Sequence, residues 1–318
     1  MTQPDPRPAR PTAPTLLRST RKPPVTVIFS GKGQDSAAMI ALATRDEAFR
    51  RRHVPGDLLI VHADTGDENQ ETVAYRDRQA EQYRQAGIDY LHVTPDLGYH
   101  PRTWQHLHHQ WERNVVVQCV GHAATCSQQL KIVPSWRSLK DYLARRYGYH
   151  RKVGRNSKAA LYAYRQDYGP LIQMLGFARG EERRVKLVPD TQRYISDTTD
   201  RRFPLIELGL DRAMCQEGTA QLGHEVPYPS ACRNCPFTNR RDLLRLHRRD
   251  PESFERWAQF EERRFTHPKW AGKKLMTVLG RGTLRENLER AEREYGHLST
   301  DELDHLRMKH GHCNSTAF

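Results

Sequence analysis

One stretch, Val25-Thr-Val-Ile-Phe-Ser-Gly-Lys-Gly-Gln-Asp-Ser36, constrains the fold more than any other. Val25 to Phe29 is a short β-branched and aromatic run that reads as a buried strand. It breaks at the small residues Ser30 to Gly33, and a helix opens near Ser36, with Asp35 and Ser36 as candidate N-caps. A strand, a glycine loop and a helix N-terminus in that order form a socket for phosphate. The glycines let the backbone approach, and the unpaired N–H groups with the helix dipole favour anions. The spacing is not Walker A, because no Gly-Lys-Ser/Thr follows the first glycine at the required distance. An ordinary strand-to-helix turn is the plain alternative.

The rhythm continues downstream. Pro55-Gly56 turns the chain into Asp57 to Asp64, a second buried strand that ends at Thr65-Gly66. Glu71 to Ala86 has the pattern of an amphipathic helix, and Tyr90 to Thr94 reads as a third strand. Such alternation predicts an α/β fold, a mostly parallel sheet with helices on both faces. Ligands in such sheets sit beyond the carboxyl ends of the strands, which puts Ser30–Ser36 and Asp64-Thr65-Gly66 on one rim. Leu171 to Ala178 looks like a further strand, and a helix is expected from Asp211. The expected organisation is a disordered basic tail over 1–23, an α/β domain with a cysteine cluster over 24–237, and a helical C-terminal appendage over 238–318.

The formal charge of +13 over 318 residues points to an anionic partner, nucleic acid first. Arg113 to Arg165 holds eleven Lys/Arg against the single acid Asp141, a net +10. Trp136, Tyr142, Tyr147, Tyr149, Tyr162 and Tyr164 are interleaved there, so phosphate neutralisation and base stacking are expected of this segment. A solvated basic helix with core aromatics has the same pattern. His100, His106, His108 and His109 crowd one segment, but no acids or cysteines partner them, so packing is the better reading than a metal site. No long apolar run or apolar leader is present, and a soluble, cytoplasmic protein without membrane contact is expected.

Six cysteines in a chain expected to be cytosolic suggest metal or redox chemistry rather than a disulfide framework. Cys232-Arg-Asn-Cys235 presents two thiols to one centre, and Cys126 with Cys215 would complete four ligands. Zinc and an iron–sulfur cluster both accept such a set, and a dithiol redox pair has the same Cys-x-x-Cys spacing. Cys119 reads as core filling, and Cys313 as an exposed thiol in a polar tail.

From about Val25 to Arg264 the chain resembles the PP-loop adenylating enzymes, specifically their phosphoadenosine-phosphosulfate (PAPS) reductase-like branch. Gly31-Lys-Gly-Gln-Asp-Ser36 is similar to that family's Ser-Gly-Gly-x-Asp-Ser, and Ala63-Asp-Thr-Gly-Asp-Glu68 to its Ala-Asp-Thr-Gly-x-Glu. Cys126 to Pro134 resembles Cys-x-x-x-x-Lys-Ile-x-Pro, and Gly176 to Lys186 a glycine, arginine and glutamate motif that closes over the nucleotide. Pro204 to Glu207, Cys215, Ala231 to Phe237 and Arg241 to Phe254 follow in the family's order. Two departures stand out. A family glycine falls on Lys32, and His310-Gly-His-Cys-Asn-Ser-Thr does not match the Glu-Cys-Gly-x-His tail of true PAPS reductases.

The resemblance implies an adenine-nucleotide α-hydrolase fold and ATP with Mg2+ held by Ser30, Gly31, Lys32, Gly33, Gln34, Asp35 and Ser36 together with Asp64, Thr65 and Gly66. Lys32, Asp35, Asp64, Arg179, Glu181 and Arg184 would be catalytic, Lys32 facing the phosphates. Cys126, Cys215, Cys232 and Cys235 would hold a 4Fe–4S cluster, with zinc as the alternative. The implied reaction cleaves ATP to AMP and pyrophosphate and passes sulfur, from a donor such as a cysteine desulfurase, to nucleic acid. DNA backbone phosphorothioation is expected ahead of tRNA thiolation. Sulfonucleotide reduction is the alternative enzyme, and a non-catalytic nucleic-acid-binding scaffold the alternative of another class.

Overall fold

The computed structural model of the chain describes residues 22–115, 117–120, 125–149, 154, 156–187 and 192–310. The expected tail therefore falls almost wholly outside the described residues, and so does Cys313. Along the chain lie β1 (Val25–Phe29), α1 (Gln34–Arg45), α2 (Glu47–His53), β2 (Asp57–Ala63), α3 (Gln70–Gln85), β3 (Asp89–Val93) and α4 (His109–Asn114). A short α5 (Thr125–Ser127) runs through a π-helical turn, Gln128–Ile132, into α6 (Val133–Arg146). Then come α7 (Ala159–Tyr168), β4 (Leu171–Met174), α8 (Glu182–Leu187), α9 (Arg193–Thr198), β5 (Thr199–Arg202), α10 (Pro204–Glu207) and α11 (Arg212–Gln221). The appendage is α12 (Arg240–Arg249), α13 (Pro251–Thr266), α14 (Leu284–Tyr295) and α15 (Thr300–His310).

The five strands are all parallel, in the order β3-β2-β1-β4-β5. Every residue of β1 is buried, as a central strand covered on both faces requires. Val25, Val27 and Phe29 face a core with Leu59 and Val61 of β2, Trp136, Leu139 and Leu143 of α6, and Leu161 and Tyr164 of α7. Ile28 turns to the other face, with Ile60, Met39 of α1, Phe49 of α2, Tyr83 of α3, Leu205 of α10 and Cys215 of α11. This is the expected α/β architecture with helices on both faces. A third cluster joins α4 to α12, α13 and α14 around Trp111, Leu243, Phe254 and Trp257.

β5 was not expected. Its residues, Thr199-Asp-Arg-Arg202, are all half-buried and contain nothing apolar. Register with β4, Leu171 against Thr199 through Met174 against Arg202, makes it a strand through main-chain pairing that side chains do not advertise.

The chain runs β1, β2, β3 outward and then returns to place β4 on the other side of β1. Open parallel sheets take ligands in the crevice beyond the carboxyl ends of the strands flanking such a reversal, here β1 and β4. Leu59 lies at 0% exposure in the middle of β2. Leu59→Ala is expected to cost about 2–5 kcal/mol and to lower the urea midpoint without changing the far-ultraviolet circular dichroism of the folded state.

Candidate functional site

The loop after β1 sits at the mouth of this crevice. Ser30 N–H still pairs with Val61 O at 2.8 Å, so the sheet is continued to the edge of the loop. The Ser30 hydroxyl accepts from Lys32 N–H at 3.2 Å and lies 3.3 Å from Ser36 Oγ, which in turn donates to Gly33 O at 2.9 Å. Gly33, rather than Asp35 or Ser36, is the N-cap of α1, and no side chain caps it. The helix begins earlier than expected, and Asp35 lies in its first turn with its carboxylate on Arg212. The first-turn N–H groups are thereby left for a ligand, with two hydroxyls beside them. From the β4 side, Gly176 passes so near that a Cβ there would stand 3.0 Å from Ser36 N.

Lys32 does not face this mouth. Its φ of +57° is the left-handed conformation that glycine adopts freely, which accounts for the family glycine at this position. The side chain is 1% exposed and buried behind the loop, with Nζ 4.9 Å and 4.5 Å from the Tyr83 and Tyr90 ring centroids. Nζ has no hydrogen-bond partner, and burial lowers its pKa to about 7 against an opposing pull from Glu68. The expected phosphate-facing cation is instead a plug beneath the loop, because the left-handed backbone turns its side chain inward.

Asp35 is buried with Oδ2 2.9 Å from Arg212 Nη2. Burial raises its carboxyl above the usual range, and Arg212 opposes the shift. Arg212 also lies 3.6 Å from Glu181 Oε1, and Glu181 Oε2 pairs with Arg184 at 2.9 Å. Asp35, Glu181 and Arg184 are thus gathered around Arg212, which sequence reasoning missed and which only the Asp211 cap, bonded to Met214 N–H, brings into register. Arg179 points outward to Asp211 at 2.6 Å.

Asp64 organises the neighbouring rim. One oxygen accepts Gly66 N–H at 2.8 Å and the other meets Arg76 at 2.9 Å and His92 at 3.4 Å. Burial alone would raise this carboxyl, but the His92 and Gly66 hydrogen bonds outweigh it and hold the group well below the usual range. Asp64 is therefore an orienting group whose oxygens are already engaged. His62, also missed, links the two loops: Nδ1 donates to Ser30 O at 3.0 Å, and Nε2 lies 3.2 Å from Glu68.

The Cys-x-x-Cys turn is docked on the same rim. Cys232 bridges Glu68 in antiparallel fashion, and its Sγ is 3.3 Å from Thr65 Oγ1. Asp67 O accepts Arg233 N–H at 2.8 Å, and Asp67 Oδ2 accepts Asn234 N–H at 3.0 Å. Cys126 and Cys232 both pack on the third core cluster. Cys215 does not join them. It is buried in α11 against the α1 face of the sheet, where burial, then Asp35, push its thiol up to about 12. Among the described residues no three His, Cys, Asp or Glu converge on a metal-sized site. The expected four-thiolate set does not fit this arrangement, since Cys215 sits on another face.

The basic segment also differs from expectation. Trp136, Tyr149 and Tyr164 are core residues, Tyr142 and Tyr147 pack on the same core, and the Tyr142 hydroxyl donates to Asp89 at 2.5 Å. Arg146 is held by Asp57 and Asp89, and Arg145 pairs with Asp141 at 2.8 Å. Arg137 donates to Tyr99 O at 2.9 Å, and Arg165 to Asp197 O. Among the described residues, Arg146 is therefore neutralised by acids outside the segment, and Arg137 and Arg165 are engaged by carbonyls outside it. Of the four crowded histidines, His100 meets Asp64 O at 3.0 Å and His108 meets Asn234 Oδ1 at 3.0 Å, each binding protein groups.

The buried amine gives a signed prediction. Below about pH 7 both folded and unfolded chains hold the Lys32 proton, and the folded state carries the full cost of burying it. Between about 7 and 10.5 only the unfolded chain holds the proton, so the cost is relieved as pH rises, by about 1.4 kcal/mol per unit. Lys32→Met should exceed wild type in urea stability at pH 6–7, roughly, with the advantage shrinking toward pH 10. A difference independent of pH contradicts the assignment.

No curated protein sequence is significantly similar to the chain. Among solved structures, the U34-tRNA thiolase NcsA from Methanococcus maripaludis with its 4Fe–4S cluster is similar over 88% of this chain and 75% of its own. The identity is 13% and the TM-score 0.36. The phosphoadenosine phosphosulfate reductase domain model matches residues 24–169, which run from the start of β1 through the phosphate loop, the Asp64 rim and α7. Over these residues the chain is similar to the phosphoadenosine phosphosulfate reductase domain.

Proposed function

We propose that the protein adenylates an acceptor with ATP and then passes sulfur to it, the acceptor being a nucleic acid. The observation that carries this reading is the uncapped start of α1, flanked by Ser30 and Ser36 and faced by Arg212 and Arg184 from beyond β4. An acceptor oxygen attacks the α-phosphorus of ATP, the bond to the β-bridging oxygen breaks, and pyrophosphate leaves with its electron pair. The main-chain N–H groups at the start of α1 receive the growing charge, and the two arginines stand where they can neutralise it. Asp35 and Glu181 hold those arginines. A sulfur nucleophile then displaces AMP, which carries away the acceptor oxygen. Mg2+ would travel with the nucleotide.

Pyrophosphate release from ATP, measured anaerobically with DNA, with tRNA and with neither, tests the reading and separates the two acceptors. Arg184→Gln is expected to lower kcat by about 10²-fold or more while leaving the fold intact. Absence of ATP cleavage under all three conditions overturns the enzyme reading in favour of a nucleic-acid-binding scaffold. The thiols of Cys126, Cys232 and Cys235 remain the candidate ligands of any iron–sulfur or zinc group. Cys215→Ala should leave iron, sulfide and zinc content unchanged, whereas Cys232→Ser should lower it.

One observation favours sulfonucleotide reduction as a second reading. α15 ends over the phosphate loop, with Met308 O accepting from Gln34 Nε2 at 3.4 Å and from Gln216 Nε2 at 3.1 Å. Cys313 follows His310 by three residues, a reach of at most about 10 Å. Loss of PAPS reduction in Cys313→Ser would support this reading, and a wild-type protein inert toward PAPS would end it.

A further inference from the structure

With Trp136, Tyr142, Tyr147, Tyr149 and Tyr164 of the Arg113–Arg165 segment turned inward and only Tyr162 exposed among its described tyrosines and tryptophans, a different surface has the chemistry expected there. From Arg263 to Arg285 the chain carries seven Lys/Arg and no Asp or Glu. Two of the seven are committed to the protein. Arg264 donates to Cys119 Sγ at 2.8 Å and Met276 O at 3.0 Å, and Arg285 is paired with Glu255 and Glu262. Arg263, Lys269, Lys273, Lys274 and Arg281 are exposed and enter no ion pair among the described residues.

Trp270 stands in their midst, at the end of a short 3-10 turn from Pro268. Its Nε1 donates to Val115 O at 3.2 Å, which pins the indole by one edge. Lys273 Nζ and Lys269 Nζ lie 5.1 Å and 5.3 Å from its ring centroid, and Lys269 also donates to Asn114 O at 3.3 Å. Behind the turn, Val278 and Leu279 enter the third core cluster, on which Cys126 and Cys232 also pack. Val278 O further accepts Val120 N–H at 2.9 Å. The outer side of that core is therefore cationic and aromatic, and its inner edge carries the cysteine rim.

A half-buried indole pinned by one edge, with Arg264 fixed beside it and the exposed Lys269 and Lys273 over its ring, suits a nucleobase between phosphates: a base can take the place of the ammonium groups on the ring, and they then follow the backbone. An anionic membrane fits less well, because the indole is tied back to Val115 and the surrounding segment is a turn and loop rather than an amphipathic helix. We propose that the surface formed by Arg263, Lys269, Trp270, Lys273, Lys274 and Arg281 docks an unpaired stretch of nucleic acid. This rests on the reading that the acceptor is nucleic acid, and names where it is held.

Fluorescence anisotropy with labelled unpaired DNA and RNA of about 16 nucleotides, and with a duplex, tests the surface directly. Trp270→Ala should weaken single-strand binding by about 5- to 100-fold. Lys273→Ala/Lys274→Ala should reduce the slope of log affinity against log salt by about 1.4, at roughly 0.7 per lost phosphate contact. Arg145→Ala/Lys158→Ala, in the other basic segment, should change affinity by less than about twofold, consistent with near-neutral surface changes. Pyrophosphate release without nucleic acid should be the same in all variants.

Equal affinity across the variants overturns the proposal. So does tight binding of duplex alone, or a Trp270→Ala defect seen only with phosphatidylserine vesicles. ATP cleavage by a wild type that binds no oligonucleotide defeats this surface and spares the enzyme. Oligonucleotide binding through Trp270 by a protein that never cleaves ATP defeats the enzyme reading and spares the surface.

Discussion

Asp67 is a carboxylate at 1% exposure at the tip of the β2 loop, and it accepts a main-chain N–H from the centre of the Cys-x-x-Cys turn. Removing a carboxylate from water is costly unless donors replace the solvent, and here Asn234 N–H and the nearby Arg233 guanidinium do so only in part. Burial accordingly pushes its pKa up to about 7. What this carboxylate secures is the junction of two bodies. Thr65 to Glu68 is the loop that follows β2, whereas the Cys232–Cys235 turn leads into the appendage, with Asn234 reaching Ser253 O and Arg233 reaching Asp250. This contact joins the Cys232–Cys235 turn to the loop after β2.

The phosphate loop is braced from behind in the same way. His62 ties Ser30 O to Glu68, and the Lys32 side chain fills the space above Tyr83 and Tyr90. A left-handed lysine costs about 1–2 kcal/mol relative to glycine, and its amine is denied a hydrogen bond. The structure tolerates both because aromatic faces and the Glu68 charge surround the amine. The loop is thereby held from below, leaving its N–H groups toward the crevice.

Much of this was legible in the sequence, for identifiable reasons. β1 and β2 announced themselves because buried parallel strands need largely apolar runs, and Val25–Phe29 and Asp57–Ala63 supply them. β5 stayed hidden because main-chain pairing, not side-chain chemistry, makes Thr199–Arg202 a strand. Ser30, Asp35, Asp64, Glu181 and Arg184 could be nominated from motif spacing, and all lie at the carboxyl-end rim. The direction in which a side chain leaves the backbone was not legible. Lys32 looked like a phosphate ligand until its positive φ turned it inward, and Cys215 looked like a fourth ligand until α11 carried it to the other face. Counting charge along the chain misled for a related reason: Arg146 meets Asp57 and Asp89, acids far away in sequence.

The central claim is that nucleotide binds at the crevice between β1 and β4, against the start of α1. Amide hydrogen exchange with and without ATP and Mg2+ tests that location without assuming any acceptor. Slowed exchange confined to peptides covering Ser30–Ser36 and Leu175–Arg184 is the result this account predicts. Unchanged exchange there under saturating ATP, or protection only in the appendage, would contradict it.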